Sequence, residues 1–268
     1  MTTPPPPEDT AVDEALARAV ARAGGAEGRP SGRDLRDLAA LAARSARAAG
    51  GRAVASGRWL SEVVLNAAEH IPVRNLAALR EHHGGLAGSL LADPLIRNAS
   101  LTTAAVGATT GALAAASETT PATWSTLPLE LAVETLVVVT VELKLVGELH
   151  EAAGIALPAG LREKGVVVAR SWAETRGLTA TELAGLTGGG LGDPGLLAGA
   201  TSSLLGRQAR DRLSAQIRRR LMRRAGRNLG SLVPFLAGAA AGAELNRRAT
   251  RRLGLSVARS LGIPPPRS

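Results

Sequence analysis

The sequence predicts an all-α protein, a multi-helix bundle with Gly/Ala-rich helices at its centre. Three observations predict it. No segment alternates apolar and polar residues between turn signals, as a half-buried strand would. The chain has one Phe, no Tyr and three Trp in 268 residues, yet 45% of it is hydrophobic. Ala, Leu and Val must therefore fill the core, and these small side chains let helices approach closely, whereas sheets recruit aromatic and β-branched residues. Helix-start signals also follow one another along the chain, each closed by Gly or Pro.

The elements follow in order. Residues 1–10 are Pro-rich and acidic and read as a disordered tail. Thr10 and Asp13 open a helix over Ala11–Ala23, which Gly24 and Gly25 close. Ser31 and Asp34 open a second that stops near Gly50, with Leu35, Leu38, Leu41 and Ala42 as its apolar face. Arg58–Glu69 is a third, ended by Pro72, and Val73–His82 a shorter fourth. Asp93 and Pro94 read as an N-cap and first helical residue, starting the helix that carries "LTTAAVGATTGALAAA". Pro128 starts a helix that stops at Gly154, and Pro158 starts one that reaches Gly177. Thr179 and Glu182 suggest a short turn of helix, and "TGGGLGDPG" a loop. Asp193 and Pro194 then open a helix leading to an Arg-rich one from about 203 to 227, and Pro234 opens the last, ending near Gly262. The expected organisation is one helical domain over 11–262 with a C-terminal tail at 263–268.

There is no cysteine, which removes disulfides, thiolate chemistry and Cys-based zinc sites. "MTTPPPPEDT" has neither the basic nor the apolar region of a secretory leader. The expected location is cytoplasmic, with peripheral attachment at the inner face of the membrane. The formal charge is +9, and of 32 basic residues only Lys144 and Lys164 are lysine. An arginine excess attracts phosphates, although a GC-rich genome produces part of it by codon bias.

The stretch from Thr123 to Gly154 is apolar enough to suggest a membrane span, yet it holds Glu130, Glu134, Glu142, Lys144 and Glu148. Each charge would cost about 2.5–3.5 kcal/mol near a bilayer centre, so a lipid-exposed span is excluded in favour of a central helix of a bundle. With Glu130 at zero and about 100° per residue, Glu134 falls near 40°, Lys144 near −40° and Glu148 back at zero, while Glu142 lies off to the side. The stripe is expected to face water or to meet arginines of a neighbouring helix. An alternative is an enzyme or metal-binding bundle using Glu130, Glu134 and Glu148. Di-metal bundles pair Glu with Glu-x-x-His, however, and none of His70, His82, His83 and His150 follows a Glu by three. No metal, cofactor or catalytic residue is assigned.

Two segments are free of charge: Asn98–Ser117 and Asn228–Ala243. Gly107 and Gly111 are four apart, as are Gly226 and Gly230, and Gly238 and Gly242. That spacing gives a smooth strip on one helix face and lets two backbones pack closely. A buried helical pair is expected, with shallow membrane insertion as the competing reading.

Trp124, Leu127, Pro128, Glu130 and Leu131 lead into the charged apolar helix, and Val146-Gly147-Glu148-Leu149 runs on to Gly154. This stretch resembles the EcsC family, in which a Trp–Leu-Pro-x-Glu-Leu-Pro type of sequence opens the corresponding helix; Ala132 stands where Pro is usual. The preceding "AAVGATTGALAAA" is similar to the family's Gly/Ala helix. Leu232–Leu261, with Pro234, Gly238, Ala239, Asn246 and Thr250, looks like its closing segment. The resemblance covers about Arg58 to Gly262 and implies an all-α, membrane-proximal protein. It supplies no reaction and no catalytic residue.

The Arg-rich segment Arg207–Arg227 has a narrow apolar stripe at Leu213, Ile217 and Leu221. Arg218, Arg219, Arg220, Arg223 and Arg224 are the candidate lipid- or partner-binding residues, and Arg247, Arg248, Arg251 and Arg252 add a second cluster. Anionic lipid is the expected partner, at about 1 kcal/mol per basic residue near a charged leaflet, or else a membrane protein. Nucleic acid is not expected, because no aromatic residue is interleaved for base stacking. A solvated face is the plain alternative.

Overall fold

A computed structural model describes residues 7–25, 32–49, 58–117, 127–175 and 235–264. These form eight helices and no strand: α1 Pro7–Gly25, α2 Gly32–Ala49, α3 Arg58–His70, α4 Leu76–His82, α5 Gly88–Ser117, α6 Leu127–Ala152, α7 Leu161–Thr175 and α8 Phe235–Ser260. The fold is all-α, as the sequence predicts. The helices expected within 179–227, including the Arg-rich one, lie outside the described residues.

Helix α6 touches every other described helix. Residues 133–143 and 145–150 along it are all buried. A helix that is hydrophobic all round must be enclosed on all sides, and five charges in a valine-rich run are tolerable only where neighbours supply partners. Val133, Leu136, Val137, Val139, Leu143 and Leu149 place their side chains in one continuous core with Leu16 and Val20 of α1, Leu38 of α2 and Val63 of α3. Two of the three tryptophans, Trp59 and Trp172, belong to the same core. Each has its indole N–H bonded, Trp59 to Ser45 Oγ at 2.7 Å and Trp172 to Glu142 Oε2 at 3.0 Å.

Helices α5 and α8 run antiparallel as the expected pair, but the pair is not buried: Leu101 on α5 and Ala240, Ala241 and Leu245 on α8 are exposed. A Cβ on Gly107 would lie 2.5 Å from the backbone oxygen of Gly242, inside any real contact. Further along, Gly254 lies against Ile96. The spacing of small residues on the two segments thus becomes a backbone-to-backbone contact. Gly165 plays the same part between α7 and α3, where a Cβ would come 2.9 Å from the amide nitrogen of Glu69.

Several boundaries differ from expectation. Helix α1 starts at Pro7, within the expected tail, and proline suits the first helical position. Helix α7 starts at Leu161, three residues after Pro158. The larger correction concerns Asp93 and Pro94, which do not open a helix. Pro94 lies inside α5, which begins at Gly88. An interior proline costs about 3 kcal/mol because it removes one backbone hydrogen bond. Leu91, Leu95 and Ile96 are buried around it, at about 1.5–3 kcal/mol each, so burial carries the helix through. The bare carbonyl belongs to Leu90, an exposed residue. The stop at Gly154 holds: its φ is +76°, and the Ile155 amide reaches back to the His150 carbonyl at 2.9 Å.

Candidate functional site

The acidic residues of α6 are the first candidates. Glu134, Glu142 and Glu148 are 2%, 0% and 4% exposed, so the stripe does not face water. A buried carboxylate needs hydrogen-bond donors, and each of these has them. Glu148 accepts from the Arg74 guanidinium at 2.8 and 3.2 Å, with Lys144 Nζ 3.9 Å away. The expectation that the stripe meets basic side chains holds for Glu148, although Arg74 lies in the turn before α4 rather than on a neighbouring helix. The side chain of Glu130 lies outside the described set.

Glu134 and Glu142 join a polar lane through the core. Asn246 Nδ2 donates to Glu134 Oε1 at 2.8 Å and to the Thr103 carbonyl at 3.1 Å. Thr103 Oγ1 donates to Thr250 Oγ1 at 3.0 Å, and Thr250 Oγ1 to Glu142 Oε1 at 3.2 Å. Trp172 closes the lane on the other Glu142 oxygen. Four helices, α5, α6, α7 and α8, are tied together by one chain of hydrogen bonds among buried groups. Such a lane fixes how the helices slide on one another, since a slip of one turn would strand every member.

Glu151 is a further carboxylate that sequence reasoning passed over. Its two oxygens accept from the backbone amides of Leu76 and Leu157 at 3.1 and 3.2 Å. It holds the start of α4 and the loop after α6 to the end of the central helix. Asn75 completes the start of α4 by accepting from the Ala78 amide at 2.9 Å.

Among the described residues, no three His, Cys, Asp or Glu side chains gather as a metal-binding group. His150 is buried and bonds the Val146 carbonyl through Nδ1 at 2.8 Å, while His70 is exposed and does the same with Asn66 at 3.0 Å. A cavity of about 170 Å³ lies between the N-terminal part of α5 and the C-terminal part of α8, lined by Ala92, Asp93, Ile96, Leu255 and Arg259 among others.

The charged surface is the second candidate. Arg218, Arg219, Arg220, Arg223 and Arg224 lie outside the described residues. The second cluster is described. Arg248, Arg251, Arg252 and Arg259 are exposed on α8. Taking Arg248 as zero at about 100° per residue, Arg252 and Arg259 fall near 40° and 20°, one stripe on the outer face, with Arg251 near −60°. Arg247 and Arg248 both bond Glu244, the former through two nitrogens at 2.7 and 2.8 Å. These two guanidinium groups lower the Glu244 pKa to about 2, and Glu244 raises that of Arg247. Among the described residues, neither Arg251 nor Arg252 is drawn into an ion pair with an acidic side chain.

Among the described residues, no helix is long and apolar enough to cross a membrane. No family model matches the chain, and no curated protein or solved structure proves similar to it.

Proposed function

We propose that this chain is an EcsC-like helical protein that acts by binding rather than by catalysis, held peripherally on an anionic lipid surface by its arginines. The observation that carries the reading is the outward stripe of Arg248, Arg252 and Arg259 with Arg251 beside it. A net charge of +9, to which the five arginines at 218, 219, 220, 223 and 224 contribute, gives long-range attraction to such a surface. The engagement of the α6 carboxylates supports the same side. Glu134 and Glu148 are bonded to Asn246 and Arg74 inside the core, which suits a structural role better than that of an acid–base or metal centre open to substrate.

Fractionation of cells tests the reading. The protein is expected in the membrane fraction and is expected to leave it in high salt without detergent. Recovery in the soluble fraction at low salt would overturn it. A protein partner in place of lipid would show as loss of binding after protease treatment of the membranes. Stoichiometric metal in the purified protein, lost on Glu134→Gln, would restore the enzyme reading.

A further inference from the structure

We infer that the cavity between the start of α5 and the end of α8 binds an apolar α-amino acid, with its side chain in the cavity, its ammonium on Asp93 and its carboxylate on Arg259. The inference does not rest on the membrane-binding reading above, although Arg259 belongs to both. Every residue that lines the cavity is among the described ones.

The cavity follows from how the chain turns at the end of α8. Gly262 takes a φ of +74°, the left-handed conformation that closes many helices. The Ile263 amide donates to the Ala258 carbonyl at 2.9 Å, and the Gly262 amide to that of Arg259 at 3.1 Å. Ile263 is thereby folded back against the bundle as one wall, buried at its position. Ala92 and Ile96 of α5 and Leu255 and Ala258 of α8 form the other walls. Ala92 and Ala258 are buried, and neither has the bulk to fill the gap between the helices. The space is about 170 Å³. An apolar cavity of about 150 Å³ holds a benzene molecule, so an apolar group of about six carbons suits this one.

The lining also carries one charge of each sign. Asp93 stands on α5 and Arg259 on α8, with Ser89 one turn before Asp93. Both charged residues are exposed, and among the described residues neither is engaged in an ion pair or a side-chain hydrogen bond. An apolar hollow with an unbonded anion and an unbonded cation on it selects a zwitterion. A plain carboxylic acid would bring its charge against Asp93, and a plain amine would bring its charge against Arg259. An α-amino acid satisfies both. Its ammonium donates to a carboxylate, and its carboxylate accepts two N–H groups of a guanidinium. The side chains of leucine and phenylalanine match the space, whereas that of alanine leaves it empty.

Isothermal titration calorimetry of the full chain with L-leucine and with L-phenylalanine tests the inference. No lipid is present, so the result is independent of vesicle binding. Saturation at one site per chain is expected for at least one of the two, with L-alanine at least about tenfold weaker. Isocaproate, which is leucine without its amine, and isoamylamine, which is leucine without its carboxylate, are each expected to bind at least about tenfold more weakly than leucine. Arg259→Gln should remove the preference for leucine over isoamylamine while isoamylamine binds no worse. Asp93→Asn should do the same against isocaproate. Ala258→Leu, which fills the hollow, should abolish binding of all of them with the circular-dichroism spectrum unchanged. Absence of a saturating site for both amino acids overturns the inference and leaves membrane attachment untouched. Equal binding of leucine and isocaproate, or leucine binding that survives both Arg259→Gln and Asp93→Asn, overturns it as well.

Discussion

Glu142 has no exposed surface, and its two oxygens receive the indole N–H of Trp172 and the hydroxyl of Thr250. Losing one partner of a buried polar pair costs about 1–3 kcal/mol, because the survivor is left unsatisfied. Trp172→Phe should lower stability by about that amount in a urea titration, and Glu142→Leu by more, since it strands two donors. An unchanged midpoint for Trp172→Phe would mean that the bond contributes nothing. Glu244 makes the opposite kind of case, on the surface. Its pKa in the folded chain is about 2, below the ordinary 4.5. The unfolded chain therefore takes up this proton first as pH falls. The stability that Glu244 contributes is complete above pH 4.5 and is lost as the pH drops towards 2. Glu244→Gln should flatten the acid limb of a stability profile in that window, and a limb of unchanged slope would contradict it. The position of Glu142 was not legible in the sequence. A helical-wheel reading places it off the stripe, and it does so correctly, but in a helix enclosed on all sides no direction leads to water.

Helices α5 and α8 meet through glycine. Gly107→Ala would bring a methyl to 2.5 Å from the Gly242 carbonyl oxygen, and backbone cannot rotate away as a side chain can. Overpacking of this kind costs about 1–3 kcal/mol. The substitution should destabilise the fold by about that much in chemical denaturation, despite alanine's better helix propensity. A stabilised variant would mean the two backbones are not in contact. The i, i+4 glycines made this pair legible, and capping signals located most helices to within a few residues. Pro94 misled because local chemistry favours a helix start there, and only the burial of Leu91, Leu95 and Ile96 reverses it. The polar lane left a fainter trace. Asn246 and Thr250 are four apart and share a face with Leu253 and Val257, polar groups on an apolar side. That signal says a partner exists across the interface; it cannot name Thr103 or Glu134, because the pairing depends on how the helices dock.

Among the described residues, a central helix, α6, is wrapped by the other seven, with Glu134, Glu142 and Glu148 turned inward to partners and Arg248, Arg251, Arg252 and Arg259 outward on α8. The all-α class was legible because composition and caps agree. The division of labour between carboxylates and arginines was not, since burial decides it and a lone sequence does not report burial. Replacing Arg251 and Arg252 by Gln should weaken vesicle binding without shifting the melting temperature, because exposed charges contribute little to stability. Adding Gln at 218, 219, 220, 223 and 224 should weaken it further; an unaffected seven-site variant would remove the arginines from the account. The most direct test of electrostatic membrane attachment is the binding of the unaltered protein to vesicles across salt. Screening shortens the Debye length from about 8 Å at 0.15 M to about 3 Å at 1 M. Binding to vesicles containing anionic lipid at 0.15 M salt, little binding to neutral ones and release at 1 M are the predicted results. Equal binding to neutral vesicles, or no binding to either kind, would contradict it.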